Sequence, residues 1–140
     1  MRATSLAALI LPALLALAAC TPAPPATPAQ ASADLNQVTT VFPQQLQALG
    51  NEPFWSVQAD GQQLHWSSPE NLQGVAIDAQ REQIGDVLHY RGQMGGEPVT
   101  LSISAEPCSD GMSDTQYPWS AQWQQGGAFY SGCARPPLAP

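Results

Sequence analysis

Residues 54–67 read FWSVQADGQQLHWS, and this stretch indicates the class of fold. Two short segments, Phe54–Ala59 and Gln63–Ser67, flank the dipeptide Asp60-Gly61. Aspartate and glycine both tolerate the positive φ that tight turns between antiparallel strands require. The stretch therefore predicts a β-hairpin.

Short apolar–polar alternations continue along the chain at intervals of about ten residues, separated by Gly, Pro, Asp and Ser. Val99, Leu101 and Ile103 alternate with Thr100 and Ser102, which is the period of a half-buried antiparallel strand. The other segments predicted as strands are Leu72–Asp78, Val87–Gly92, Val99–Ser104, Trp119–Gln124 and Ala128–Cys133. Together they predict an all-β domain over residues 51–135, a small antiparallel barrel or sandwich of about seven to eight strands.

The core of this domain is expected to be rich in aromatic residues. Residues 51–135 contain only 13 Leu, Ile, Val and Phe, whereas all 4 Trp and all 3 Tyr of the chain fall there. One large ring buries roughly 150–250 Å² and can replace missing aliphatic side chains. Trp119 and Trp123 are therefore predicted in the core. The alternative is that they form a binding platform.

The segment Phe42–Gly50, just before the domain, is predicted as a short helix. Pro43 would occupy its first turn and Gly50 would end it, with Leu46 and Leu49 on the apolar face. The alternative is a linker that contains two leucines.

The N-terminal segment has the pattern of a bacterial export signal. Leu6–Ala19 is an apolar run of 14 residues, shorter than the ~20 of a membrane-spanning helix and typical of a signal-peptide core. It ends in Leu17-Ala18-Ala19-Cys20, which resembles the lipobox of bacterial lipoproteins. The resemblance implies removal of residues 1–19, acylation of Cys20 and, because Thr21 follows, a place on the periplasmic face of the outer membrane. The alternative is a secreted protein that is cut elsewhere.

The segments that flank the domain are expected to be disordered. Residues 21–33 contain four prolines and no large apolar side chain, so they cannot bury a core and predict an extended tether. The expected organisation is a signal peptide at 1–19, a lipidated cysteine, tether and short helix at 20–50, the β domain at 51–135 and a disordered tail at 136–140.

The cysteine count predicts one disulfide. If Cys20 carries lipid, Cys108 and Cys133 remain, and in an oxidising periplasm they are expected to pair. The alternative, a reactive or metal-binding pair, would need a CxxC spacing or a nearby histidine, and the sequence has neither.

Three sequence blocks carry a resemblance to a known family. They are Gly50–Trp55 (GNEPFW), Cys108–Asp114 (CSDGMSD) followed by Tyr117-Pro118, and Gly132-Cys133. In this order they resemble a family of small Gram-negative outer-membrane lipoproteins of unknown function, over about residues 50–134. A looser similarity connects the chain to META-domain (HslJ-like) lipoproteins. The resemblance implies a fold and a location but no reaction.

Five residues are predicted to form a binding surface: Asp110, Asp114, Tyr117, Phe129 and Tyr130. Asp110 and Asp114, with the serines beside them, offer oxygen ligands for a weak calcium site, but their spacing does not fit an EF-hand. Aspartates and serines in a tight loop more often bind their own backbone. The prediction is therefore no metal and no cofactor.

Composition and motifs disfavour an enzyme and a nucleic-acid-binding protein, and no motif states the activity. The chain has 4 basic and 11 acidic residues and no lysine, which argues against nucleic acid as a partner. Only His65 and His89 are available as bases, both predicted on exposed strands, and no nucleophile or phosphate-loop motif accompanies them. The expected function is a lipid-anchored module that binds a protein or envelope component. The alternative is an inhibitor or immunity lipoprotein that acts on a basic cell-wall hydrolase such as lysozyme. An acidic protein would attract such an enzyme, and the hairpin at residues 126–132 would insert into it.

Overall fold

The computed structural model describes residues 39–138. The predicted signal peptide, the lipidation site Cys20, the tether at 21–33 and residues 139–140 of the predicted tail lie outside this range. Every regular element within it is a β-strand, and no helix among the described residues is long and apolar enough to cross a bilayer.

The described range contains ten strands. They are β1 Gln45–Asn51, β2 Phe54–Asp60, β3 Gln63–Ser68, β4 Asn71–Ile84, β5 Val87–Met94, β6 Glu97–Ser104, β7 Cys108–Ser109, β8 Gln116–Tyr117, β9 Trp119–Gln125 and β10 Ala128–Arg135. Eight of them close into one barrel in the order β1-β10-β9-β6-β5-β4-β3-β2, and β7 pairs with β8 in a small separate ribbon. All neighbouring strands are antiparallel. The predicted all-β fold is confirmed, in its barrel form, and each of the seven predicted strands is present.

The alternation of strand directions gives the barrel two distinct ends. We call upper the end that carries the turns Glu52-Pro53, Pro69-Glu70, Gly95-Gly96 and Gly126-Gly127. We call lower the end that carries the turns Gly61-Gln62 and Gly85-Asp86, the entering segment 39–44 and the two ends of the long connection 105–118. The middle of this connection reaches along the barrel to Asn51 at the end of β1.

The predicted helix at Phe42–Gly50 is wrong, because strand β1 occupies most of this segment. Leu46, Ala48 and Gly50 point inward and are buried, a period of two that alanine and glycine signal only weakly in the sequence. β1 pairs with both β2 and β10 and so closes the barrel. This pairing outweighs the local helical preference, and the β domain therefore begins before the predicted boundary at residue 51.

Strand β4 is longer than the predicted Leu72–Asp78. Its first half pairs with β3 and its second half pairs with β5, so one continuous strand serves two neighbours. Gln80 and Glu82, which alternate with inward residues in the second half, lie on the exposed face.

The barrel interior combines aliphatic and aromatic side chains, as the composition predicts. Trp123, Tyr90 and Leu101 are almost fully buried, and Trp55 is 5% exposed. Trp119 is half-buried at the lower end, where its ring centroid lies 5.4 Å from that of buried Phe42.

Arg81 holds the entering segment against the lower end of the barrel. Its guanidinium donates to the backbone carbonyls of Phe42 and Pro43, at 3.1 and 3.3 Å, and to the Tyr90 hydroxyl at 3.2 Å. Phe42 is 3% exposed, so the entering segment covers the interior on this side.

Candidate functional site

The predicted disulfide between Cys108 and Cys133 is present, with Cα atoms 5.6 Å apart. Cys133 lies in β10 and is 1% exposed, whereas Cys108 belongs to the long connection between β6 and β9. The bond therefore attaches this connection to the outer face of the last strand.

Asp110 organises the disulfide loop from within. Its carboxylate accepts the backbone N–H groups of Met112 and Ser113, each at 3.0 Å, and the Tyr117 hydroxyl at 3.0 Å. The Met112 N–H makes the largest contribution to holding the pKa of Asp110 below its ordinary value. Its oxygens thus serve the loop itself, which is the local hydrogen bonding expected for such a turn. Among the described residues, no group of three or more His, Cys, Asp or Glu could hold a metal ion.

Tyr117 is a structural residue of this loop, and its predicted place on a binding surface is wrong. It is 6% exposed, and the Arg135 guanidinium lies 5.4 Å from its ring centroid. Burial raises the pKa of its hydroxyl, which stays protonated and donates to Asp110. Of the predicted acidic pair, Asp114 is exposed and Asp110 is half-buried.

The disulfide loop also stabilises the junction between β1 and β10, which has the shortest strand pairing in the barrel and which we call the seam. β1 and β10 share three paired residues, whereas the other neighbouring pairs in the barrel share five to eight. The Asn51 side chain donates to the Asp110 carbonyl at 2.9 Å, and Arg135 donates to the Gln47 side chain at 3.3 Å. Together with the disulfide, these contacts tie the loop and β10 to β1 where backbone pairing is short.

Phe129 and Tyr130, the other two predicted surface residues, lie at the upper end and not in the disulfide loop. Phe129 is 60% exposed, whereas Tyr130 is half-buried and packs against the core. Asp110 borders a cavity of 490 Å³ beside β1 and β10, and Tyr130 lines a different cavity. The predicted binding surface is therefore not one surface, and its two parts have to be considered separately.

The cavity that Tyr130 lines is the candidate functional site, and we call it the aromatic cup. It has a volume of 140 Å³ and lies at the upper end of the barrel. It is lined by Pro53, Phe54, Trp55, Trp66, Ser68, Glu70, Trp123, Gln125 and Tyr130. Trp55 and Trp123 are its most buried members, Trp66 and Tyr130 are half-buried, and Phe54 at its rim is 53% exposed.

Two glycines make room for Trp55 beneath the cup. A Cβ on Gly50 would collide with the Trp55 indole, and a Cβ on Gly132 would collide with both the Leu49 carbonyl and the same ring. Gly50 pairs directly with Trp55 across β1 and β2. The first and last of the three sequence blocks therefore meet in one packing arrangement, with the ring covering the backbone of both glycines.

The upper end of the barrel is acidic. Glu70 is an exposed residue at the edge of the cup, and a hydrogen bond from the neighbouring Ser68 hydroxyl makes the largest contribution to lowering its pKa, so the carboxylate is ionised at neutral pH. Glu52 lies in the turn between β1 and β2, and Glu97 begins β6 at the same end.

The arginines of the described range do not offset this charge, because each is engaged elsewhere. Arg91 pairs with Glu82 at 2.7 Å on the outer face of the barrel. Arg81 binds the entering segment and Arg135 binds Gln47.

One pair of side chains has the residue types of a catalytic dyad. His89 Nδ1 lies 3.0 Å from Ser102 Oγ on the outer face of β5 and β6. Glu82 is opposite His89 in the next strand, but its carboxylate binds Arg91 at 2.7 Å. The surrounding backbone N–H groups take part in strand pairing, whereas an acyl-transfer site needs free donors for the oxyanion. The pair therefore lacks the free backbone donors that an acyl-transfer site needs. His65, the other histidine, is exposed.

The predicted binding surface included one residue of the cup, Tyr130, and the alternative of a binding platform included Trp123; the other lining residues were not predicted as a site. The GNEPFW block contains Phe54 and Trp55, and its part in the family resemblance was the sequence signal that pointed to this segment. The contributions of Trp66, Glu70 and Trp123 depend on which strands become neighbours, and the sequence does not reveal that order.

No protein-family model, curated protein or solved structure matches this chain. The resemblance to outer-membrane lipoproteins therefore stays a prediction.

Proposed function

We propose that the protein is a non-enzymatic, lipid-anchored envelope lipoprotein whose barrel binds a protein or envelope component at its upper end. The observation that carries the proposal is the aromatic cup, a concave site lined mainly by rings with a few polar groups at its edge. Recognition sites for small groups commonly have this composition.

Exposed apolar side chains around the cup support a docking role. Phe54, Leu72 and Phe129 all lie at or next to the upper turns, and each is more than half exposed. Other large apolar side chains, Val41, Ile84, Met112 and Leu138, are exposed elsewhere on the described residues, so the support comes from the position of these three at the end that holds the cup. The chain enters the barrel at the lower end, so an N-terminal anchor would join the domain opposite the cup.

The anchor is tested by following the fatty acid. Cells that express the chain are expected to incorporate labelled palmitate into it, because the thiol of Cys20 is the proposed acylation site. Cys20→Ser should abolish the label, whereas the double variant Cys108→Ser/Cys133→Ser should retain it. Mass spectrometry of the mature N-terminus provides the direct readout, and an unacylated terminus at another residue would contradict the anchor.

The binding role is tested by photo-crosslinking in cells. A photoreactive phenylalanine analogue at position 129 is expected to trap a partner, because Phe129 is exposed at the upper end. The same analogue at position 84 is the matched control, since Ile84 is 56% exposed but lies at the lower end. Equal crosslinking from both positions, or none from position 129, would count against the upper end as the binding surface.

A second candidate function is inhibition of a basic cell-wall hydrolase. The β9–β10 hairpin supports it, because this hairpin presents Phe129 beside the acidic upper turns. A basic enzyme would be attracted by this charge. In that case the partner trapped at position 129 is such a hydrolase, and the purified chain slows its lysis of cell walls.

A further inference from the structure

We propose that the aromatic cup is a site for a guanidinium group, presented by an arginine side chain of a basic partner. The inference rests on the proposed binding function and assigns the chemistry that the cup recognises.

The size of the cup restricts its ligand to a small group. Its volume is 140 Å³, and a molecule of liquid water occupies about 30 Å³, so the cup has room for about five heavy atoms. A guanidinium group, with one carbon and three nitrogens, fits this space. A hexose ring with its hydroxyl groups would extend out of it.

The lining of the cup favours a cation. Three of the four tryptophans contribute to it, together with Tyr130 and Phe54. The faces of aromatic rings attract cations, and tryptophan does so most strongly. Among the cationic side chains, arginine is the better match, because its planar, weakly hydrated head stacks on rings more readily than the ammonium of lysine.

The polar groups of the cup select a cation that carries N–H donors. The Glu70 carboxylate can accept two parallel hydrogen bonds from the guanidinium plane. Ser68 and Gln125 place further polar groups in the same lining, where Gln125 Oε1 already accepts a hydrogen bond from the Trp123 indole N–H at 3.4 Å. A quaternary ammonium group has no N–H and would leave all these acceptors unused, which favours arginine over choline-like ligands.

The unpaired indole donors of the lining do not face the ligand. Trp55 Nε1 and Trp66 Nε1 have no hydrogen-bond partner among the described residues, and both atoms are almost without exposed surface. Trp55 Nε1 lies against Gly50, beneath the cup. A cation in the cup therefore does not have to approach an exposed N–H dipole.

The charge of the surroundings favours the same ligand. Glu52 and Glu97 lie at the upper end in addition to Glu70, and the upper turns contain no arginine. This arrangement attracts a basic partner before contact, and the Glu70 carboxylate, which forms no ion pair among the described residues, can bind the arginine of that partner.

The test uses NMR of the ¹⁵N-labelled whole protein, purified in a non-ionic detergent. Each tryptophan gives one indole N–H signal, and Trp119, at the lower end against Phe42, serves as the internal control. The probe is N-acetyl-arginine amide, and its neutral isostere N-acetyl-citrulline amide is the matched comparison. We expect the signals of Trp55, Trp66 and Trp123 to move with the arginine probe while that of Trp119 does not.

The citrulline probe should bind about tenfold more weakly, because it lacks the charge that the rings and Glu70 recognise. Glu70→Gln should weaken arginine binding about tenfold. The control Glu106→Gln, an exposed glutamate at the lower end, should leave binding unchanged.

Three results would overturn the assignment: equal binding of citrulline and arginine, tighter binding of tetramethylammonium than of arginine, or no movement of the three cup signals. These failures are distinct from failure of the proposed function. A partner trapped at position 129 without arginine binding would refute only the guanidinium site. Arginine binding without a trapped partner or an acylated Cys20 would refute only the anchored binding role.

Discussion

Replacing both Cys108 and Cys133 with alanine is expected to lower the free energy of unfolding by about 3.5 kcal/mol. The disulfide closes a loop of 26 residues, from a sequence separation of 25 plus one, and the chain-entropy relation gives about this value for such a loop. The bond also holds the connection 105–118 on β10, beside the seam where β1 and β10 share three pairs. We therefore expect the loss to be accompanied by faster hydrogen exchange in β1.

Urea unfolding of the oxidised protein and of the double variant measures this difference. A reducing agent should destabilise the wild-type protein by a similar amount and leave the variant unchanged. Cys20→Ala is the control, since this cysteine takes no part in the disulfide. A difference below about 1 kcal/mol would show that the reduced loop holds the seam without the bond.

Gly132→Ala is expected to destabilise the barrel by about 3 kcal/mol, near the upper range for overpacking in a core. The added methyl would meet the Leu49 carbonyl of β1 and the Trp55 ring. Neither can move away freely, because the carbonyl belongs to the backbone at the seam and the ring is 5% exposed. The seam must therefore open, or Trp55 must leave its place beneath the cup.

Thermal and urea unfolding measure this effect, and Gly96→Ala is the matched control. Gly96 has a positive φ of 86°, and no atom lies within 4 Å of its added Cβ. Its substitution should cost about 1 kcal/mol, from backbone conformation alone. If Gly132→Ala destabilises the protein no more than Gly96→Ala does, the close approach of β1, β10 and Trp55 is not needed for stability.

The sequence was sufficient to predict the fold class because its signals were local. The alternation in Val99–Ser104 and the turn at Asp60-Gly61 each required only a few neighbouring residues to be interpreted. The disulfide followed from the number of cysteines and the expected compartment. These features depend little on how distant parts of the chain meet.

The predictions that failed depended on distant pairing. Leu46 and Leu49 fit a helical spacing, and only the partners of β1 show that Leu46, Ala48 and Gly50 form its inward face. Tyr117 was predicted on a binding surface, yet it is buried, with its hydroxyl bonded to Asp110 and its ring beside the Arg135 guanidinium.

The candidate site was hidden for the same reason. Trp55, Trp66 and Trp123 come from three different strands, and they line one cavity because β1 and β10 lie between β2 and β9 in the closed barrel. A list of aromatic residues contains no information on that closure. The aromatic composition could predict that rings would be buried in the core, but it could not predict that some of them would line a cavity.

The pairing of β1 with β10 has a consequence for how the protein is made. The first and last strands of the barrel are partners, so the domain cannot close until residues near Arg135 are available. A chain that emerges gradually from a ribosome or a secretion pore must therefore remain open until almost its whole length has passed. Such long-range closure slows folding relative to local contacts. The order of the strands thus keeps the barrel open until the last residues of the domain have emerged.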